Sequence, residues 1–600
     1  MQSLLRWCCI AALAPGTAHA QSTFRVNLSS TGDTVNADLP IMSYRSVISA
    51  DGTHVTFESE ATNMVPNDTN GFMDIFVRNL TTGVTVRVNV SSTGEQSNEE
   101  SRRPCLSADG RYVAFESNAS NLVPGDTFGN WDIFVRDIVA GTTKRVSVKS
   151  NGDQCIGHSL TPSISLDGRY VAFQSSGWNI IPADSNQHGD VFVHDMQTSH
   201  TTRVSVGGAN TQANGDSYLP AISGDGRFVL FASDASNLVP NDTNQLIDLF
   251  VRDRQTSVTE RVSVDSNGAQ ANDYTWPIAS ISADGRRVCF QSWASTLDED
   301  TNSWEDIFVH DRATGETRIV SVDSNGIQGN DISHDPQISP DGRYATYTTR
   351  ADDIVPNDTN GYWDVILYDL WTRKAERVSV TNSGQEAQTG TSAFPWLSYD
   401  GRYVLFTSRA SDLVANDFEG FGEDFVRDRA TTSLDGFCFG DGSLATACPC
   451  APPNTVPNPS GAVGHGCANS LSPAGAVLSA GGTLSPDTVV FNADIGTGYI
   501  GFALLVKGNA QSASGIANGD GLRCVDGALI RVGGHGAGTN GAPVGSWTYP
   551  NVVQTLPITQ VTAQGPGSAW YQLFYRNATP SFCSAGTTNW SNGVSVTWPP

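Results

Sequence analysis

The chain is short of positive charge. Lys+Arg number 35 against 61 Asp+Glu, a formal charge of −26, and no block of clustered Lys or Arg occurs anywhere along it. Such a surface repels phosphates, which excludes nucleic acid as a partner. After the first twenty residues no apolar run is long enough to span a bilayer, so no transmembrane segment is expected. No Gly-x-Ser-x-Gly elbow occurs either, so a hydrolase domain of that type is absent. What is present is turn chemistry, with 59 Gly and 28 Pro, beside a hydrophobic fraction of 39%. That balance excludes collagen, coiled coil and wholesale disorder, and leaves a turn-rich chain able to build a core.

Residues 1–20 read as a cleaved signal peptide: Arg6, the apolar run Trp7 to Pro15, then Ala18-His19-Ala20 as a small-x-small cleavage site. The mature protein is therefore expected outside the cytoplasm, as a secreted, periplasmic or cell-surface protein. Of 11 cysteines, Cys8 and Cys9 leave with the signal. Cys438, Cys448, Cys450, Cys467, Cys524 and Cys583 crowd one C-terminal region, where an oxidising compartment favours disulfides over a zinc site. Cys105 and Cys155 either pair or stand as separate thiols, and Cys289 reads as a small buried thiol.

The phrase Ser107-Ala108-Asp109-Gly110-Arg111-Tyr112-Val113-Ala114-Phe115 recurs, with its Asp-Gly at Asp51, Asp109, Asp167, Asp225, Asp284, Asp341 and Asp400. The spacings are 57 to 59 residues, the mark of a solenoid or a propeller. Within the second copy four short β-type runs are expected: Pro104 to Ser107, Tyr112 to Glu116, Asp132 to Arg136 and Lys144 to Val148. Four strands per repeat make one propeller blade. The fourth run, Arg145-Val146-Ser147-Val148 and its equivalents, is missing after the seventh copy. It is found instead at the mature N-terminus as Arg25-Val26-Asn27-Leu28. The N-terminal strand is thus expected to complete the last blade and remove two exposed sheet edges.

These copies resemble the TolB-type, WD40-like propeller repeat, whose hallmark is the Ser-x-Asp-Gly-Arg-x-x-x-Phe turn and strand. The resemblance covers residues 21–432 and implies an all-β, seven-bladed β-propeller with four-stranded blades. It carries little about function. One enzymatic option comes with it, since some TolB-like propellers are oligogalacturonate lyases that hold a metal with several histidines near the axis. Here His158 and His334 stand at different offsets from the strands that follow, and no third histidine joins them.

An ordinary WD-type blade takes about 40 to 45 residues. The extra length falls into two loops, from second to third strand and from fourth strand to the next blade, which antiparallel connectivity puts on one face. Long loops on a rigid scaffold are where binding concentrates. The first loop carries an acidic pattern: Asp68, Asn70 and Asp74; Asp126 and Asp132; Asp184, Asn186 and Asp190; Asp242, Asn244 and Asp248; Asp300, Asn302 and Asp306; Asp358, Asn360 and Asp364; and Asp417 with Asp424. Two readings stand side by side. Oxygen ligands from a tight turn suit Ca²⁺; equally, Asn and Asp here form Asx turns with no ion.

Aromatics interleave with both loops: Phe72, Trp131, Trp304, Tyr362, Trp363 and Phe421 in the first, Tyr218, Tyr274, Trp276, Phe394 and Trp396 in the second. They are suited to stack sugars or grip a peptide, although most are expected to tuck against neighbouring blades. From about Leu434 the composition changes. Residues 436–600 hold 5 Asp, no Glu, 1 Lys and 3 Arg, with β-type runs such as Phe502 to Val506. Residues 433–600 are therefore expected to form a disulfide-containing, β-sandwich-like domain, resembling a C-terminal module of bacterial secreted proteins. The expectation for the whole is an exported, non-enzymatic binding or scaffold protein. Its acidic loop face, stabilised by calcium on the first reading, would engage a protein, peptide or glycan. The alternative is a carbohydrate-active enzyme, a polysaccharide lyase or glycosidase, with its site on the same face.

Overall fold

A computed structural model describes residues 21–34, 36, 46–182, 184–298, 300–415 and 422–429, together with the backbone of strands between Leu434 and Trp598. The chain divides into two compact units, one of them Gln21–Arg429. That unit is an all-β propeller of seven four-stranded antiparallel blades. The second blade is typical: Ser101–Leu106, Tyr112–Ser117, Asp132–Asp137 and Thr142–Arg145, each hydrogen-bonded to the next.

Ring closure follows the expected scheme. The strand Ser22–Arg25 adds to Glu423–Asp428, pairing Ser22 with Asp428 and Arg25 with Phe425. Val26 N–H then donates to the Asp424 carbonyl at 2.8 Å, and Arg25 ion-pairs with Glu423 at 2.6 Å. The fourth strands lie about three residues earlier than the sequence reading put them, ending on the arginine instead of starting with it. The reason is local. Beyond Arg145 the Val146 N–H still donates to the Ile133 carbonyl, but the next acceptor, for Ile133 N–H, is the Ser147 hydroxyl at 3.0 Å. A side chain replaces the ladder, and the backbone peels away.

The core lies between blades. Phe57 stacks on Phe76, Phe115 on Phe134, Phe173 on Phe192, Phe231 on Phe250, Phe290 on Phe308 and Phe406 on Phe425, with centroids 5.8 to 5.9 Å apart. Each cluster mixes two neighbours; Leu230, Leu249 and Val262 of one blade pack on Val288, Phe290 and Leu297 of the next. Burying each large side chain contributes about 1.5–3 kcal/mol, and in each cluster that burial is shared between two blades.

Asp-Gly turns occupy one face. In the second blade the Ser107 hydroxyl donates to Asp109 and accepts from Tyr112 N–H, and Gly110 takes φ +68°. A Cβ on Gly110 would lie 2.4 Å from the His54 ring of the preceding blade, so only glycine lets the blades approach. The long loops occupy the opposite face. Among the described residues no helix is long and apolar enough to cross a membrane.

In the other unit the backbone forms a five-stranded antiparallel sheet, a three-stranded sheet and a two-stranded hairpin between Leu434 and Trp598. The signal segment, the C-terminal cysteine side chains, Asp417 and Phe421 lie outside the described residues.

Candidate functional site

The repeated aspartates converge on the fourth-strand arginine. One Arg203 nitrogen, Nη1, sits 3.0 Å from Asp184 and 2.9 Å from Asp190. Arg87 bridges Asp68 and Asp74 at 3.4 and 3.3 Å, Arg145 bridges Asp126 and Asp132 at 3.2 and 3.5 Å, and Arg261 bridges Asp242 and Asp248 at 3.3 and 3.1 Å. Arg377 meets Asp358, Asp364 and also Glu386, at 3.1 to 3.3 Å. A guanidinium therefore supplies positive charge between the carboxylates in these five blades. Burial still raises several of these acids, Asp132 to about 6 and Asp358 to about 7, partly offset by the arginine.

The asparagines make Asx turns. The Oδ1 of Asn70, Asn186, Asn244, Asn302 and Asn360 accepts the N–H two residues on, and each Nδ2 reaches a carbonyl of the following loop. Asp424 is buried and accepts from the hydroxyls of Ser46 and Thr407. The pair Asp300 and Asp306 is the exception, because its blade has Ile319 where the others have arginine.

Function is better sought where the copies differ. The first strand of six blades carries a β-bulge. In five of these blades a non-glycine residue sits at φ +51° to +57° just before a proline: Arg103, Thr161, Leu219, Asp335 and Phe394. The strain is held by the neighbouring blade, since Glu116 accepts from Thr161 N–H at 2.8 Å, and Gln174 and Gln291 accept from Leu219 and Asp335 N–H at 2.9 Å. Three of these residues, Arg103, Thr161 and Leu219, line an axial cavity of about 160 Å³, with Trp396 among its other walls. One backbone shape thus presents cation, hydroxyl, aliphatic, carboxyl and aromatic groups in turn.

The densest chemistry lies between the fifth and sixth blades. Tyr274 meets Trp276 edge-on at 5.2 Å, and the His334 ring lies 4.4 Å from that of Trp363. His334 Nδ1 is 2.8 Å from Asp335 Oδ2, which also accepts from Thr348 Oγ1 at 3.3 Å. Glu305, buried at a position where other copies carry Met73, Ile247 or Trp363, hydrogen-bonds to the Trp276 side chain. Burial pushes its carboxyl up to about 7, against the pull of His334. Burial opposes protonation of His334, yet the Asp335 hydrogen bond and charge, with Glu305, raise it above the ordinary histidine range. Trp276 remains 38% exposed and Trp304 43%, so aromatic surface is open to a ligand beside the acids.

Phe394 apart, which the sequence reading names as a loop aromatic, the bulge residues and Glu305 escaped that reading. The x-Pro step recurring in the first strand of six of the seven blades was a signal for the former; a glutamate in an apolar column was the signal for the latter. Of the interleaved aromatics, Trp276, Trp304 and Tyr362 are exposed, and the other described ones are half-buried, as expected of rings that support long loops. His194 and His310 are buried against Thr201 and Thr317, and burial lowers both, His194 to about 4. His158 accepts from Trp131 N–H in the loop between the second and third blades, apart from His334 in the sixth. Cys155 is a buried thiol, so it forms no bridge to Cys105, and Cys289 is likewise a buried thiol.

No family model and no curated protein matches the chain. Solved structures that resemble it include propeller proteins. TolB from Acinetobacter baumannii is 15% identical with a TM-score of 0.32, covering 55% of this chain, which spans only 64% of that protein. A putative TolB from Agrobacterium tumefaciens is 17% identical, TM-score 0.30, covering 50% of this chain and 87% of its own. The β-propeller domain of the Trilobed protease from Pyrococcus furiosus is 11% identical, TM-score 0.39, covering 66% of this chain and 94% of its own. At these levels the likeness concerns fold, and no activity follows from it.

Proposed function

We propose that this chain is an exported binding protein that holds a saccharide on its long-loop face, between the fifth and sixth blades. The observation that carries the reading is the two ring pairs, Tyr274 with Trp276 and His334 with Trp363, joined through the Glu305 carboxyl, which hydrogen-bonds to Trp276 and feels the charge of His334. Aromatic faces stack on the apolar faces of sugar rings, while carboxyl and imidazole groups take up the hydroxyls. A protein or peptide ligand would need a larger apolar contact, and the exposed rings here are interrupted by acids.

Titration of neutral and acidic oligosaccharides against the mature chain, followed by tryptophan fluorescence and calorimetry, tests this. Saturable binding in the wild type that weakens at least tenfold in Trp276→Ala supports it; no binding by any saccharide, or equal affinity in the variant, rejects it. A second reading, a carbohydrate-active enzyme, is favoured by two carboxyls, Glu305 and Asp335, facing one histidine. Appearance of new reducing ends or unsaturated uronate in the same mixtures, lost in Glu305→Gln, would decide for it.

A further inference from the structure

We propose that the fifth blade binds one divalent cation, Ca²⁺, between Asp300 and Asp306, at the place where its sister blades hold an arginine guanidinium. The comparison is internal. In the first, second, third, fourth and sixth blades the fourth strand ends on Arg87, Arg145, Arg203, Arg261 or Arg377, and each reaches both acids of its loop. The fifth blade has the same loop and the same two acids, but its strand Glu316–Ile319 ends on an aliphatic side chain. Ile319 packs against the apolar clusters on either side.

The carboxylates left behind remain aimed at the vacated place. Asp306 is fully buried; its Oδ1 accepts from the Ser321 hydroxyl at 2.6 Å, while its Oδ2 has no hydrogen-bond partner. Asp300 is 8% exposed; its Oδ1 accepts from Asn302 N–H at 3.1 Å and Gln328 Nε2 at 3.3 Å, and its Oδ2 is likewise without one. The Oδ2 of the strand aspartate is the atom that faces the guanidinium in the sister blades, as Asp132, Asp190, Asp248 and Asp364 illustrate.

Two buried carboxylates without a counter-charge are costly, because burial disfavours each ionised form and each repels the other. A proton or a cation relieves that cost, and the two partnerless oxygens are donors of the kind a hard cation takes. Hard carboxylate oxygens with water are what Ca²⁺ takes, at six to eight ligands and in flexible geometry. The site adjoins the proposed ligand patch, since Asp306 directly follows Glu305, but it does not depend on what that patch binds.

The test uses the mature chain, stripped with chelator, and compares wild type with Ile319→Arg, which installs the sister blades' guanidinium, and with Asp300→Asn. Calorimetric titration with CaCl₂ should give one more equivalent in the wild type than in either variant, and saturating Ca²⁺ should raise the wild-type Tm by about 3 °C. Terbium(III), sensitised by the nearby Trp304, should report the same difference in stoichiometry. Ile319→Arg should melt without regard to calcium, at or above the metal-free wild type. Equal stoichiometry in wild type and Ile319→Arg, no calcium binding by the wild type, or a response to Na⁺ alone would each overturn the proposal.

Discussion

A residue's role in this molecule is set by what its sister residues do. Arg203 is 7% exposed in its side chain and holds two buried carboxylates, so removing it strands both. Arg203→Ala is expected to lower stability by ~3–5 kcal/mol at pH 7, read from urea unfolding, because breaking a buried pair costs far more than the pair contributes. The loss should shrink as pH falls and the stranded acids protonate. Glu58 provides a sharper comparison. It accepts from Arg103 N–H at a bulge, the task that Gln174 and Gln291 perform without charge in other blades. Burial is the largest cause that pushes its carboxyl up to about 8, with Glu116 adding to it and Arg102 and Arg103 opposing. A folded pKa above the unfolded one means that stability is full below about pH 4.5 and declines as pH rises towards 8. Glu58→Gln should therefore match the wild type near pH 5 and exceed it by ~1–3 kcal/mol near pH 8, measured as Tm or urea midpoint against pH.

At the level of the strand and turn, two devices recur. On the tight-turn face of the second, third, fourth, sixth and seventh blades an arginine two residues after the repeated aspartate forks onto the aspartate that ends the third strand: Arg227 reaches Asp253 at 3.0 and 2.7 Å and stacks over Phe228 at 4.7 Å. The arginine hydrogen bond, against some burial, depresses Asp253 below the ordinary carboxylate range. The sign is opposite to that of Glu58. These clamps stabilise the fold above the unfolded aspartate pKa and release as pH falls through the lower folded value. Arg227→Lys cannot reproduce a planar fork. It should lower Tm modestly at neutral pH, and the difference from wild type should vanish in acid, where the clamp is already lost. On the loop face the x-Pro bulges do the converse work, fixing a strained backbone that carries a different side chain in each blade, three of which, Arg103, Thr161 and Leu219, line one cavity.

Over the whole propeller, the N-terminal segment Ser22 to Val26 decides whether the wheel is a wheel. Ser22–Arg25 supplies the outer strand of the seventh blade, and Val26 packs with Ile48, Phe57 and Phe76 of the first blade against Leu405 and Val426 of the last. A chain starting at Ser29 should lose the ring's cooperativity: a lower and broader melt, and association through the bared edge of Glu423–Asp428, seen by light scattering. An unchanged sharp transition in that truncation would show the seam to be dispensable.

Much of this was written in the sequence. Seven periods, four strands per period, the shared last blade and the division into a tight and a long-loop face follow from repetition and alternation, because each is a local rule applied seven times. Strand ends were misplaced by about three residues, since only the folded blade shows the Ser147 hydroxyl taking over a ladder hydrogen bond. The aspartate loops were legible as a pattern but not as a circuit. Their arginine partners lie 13 to 19 residues further along the chain, as Arg203 does from Asp190 and Asp184, and only strand pairing carries them into contact. The site between the fifth and sixth blades was less visible still, because Trp276, Glu305, His334 and Trp363 come from two repeats. Sequence determined the wheel, since periodicity is written in one dimension; tertiary structure decided which charges are neutralised and which side chains meet, since those depend on distances across blades.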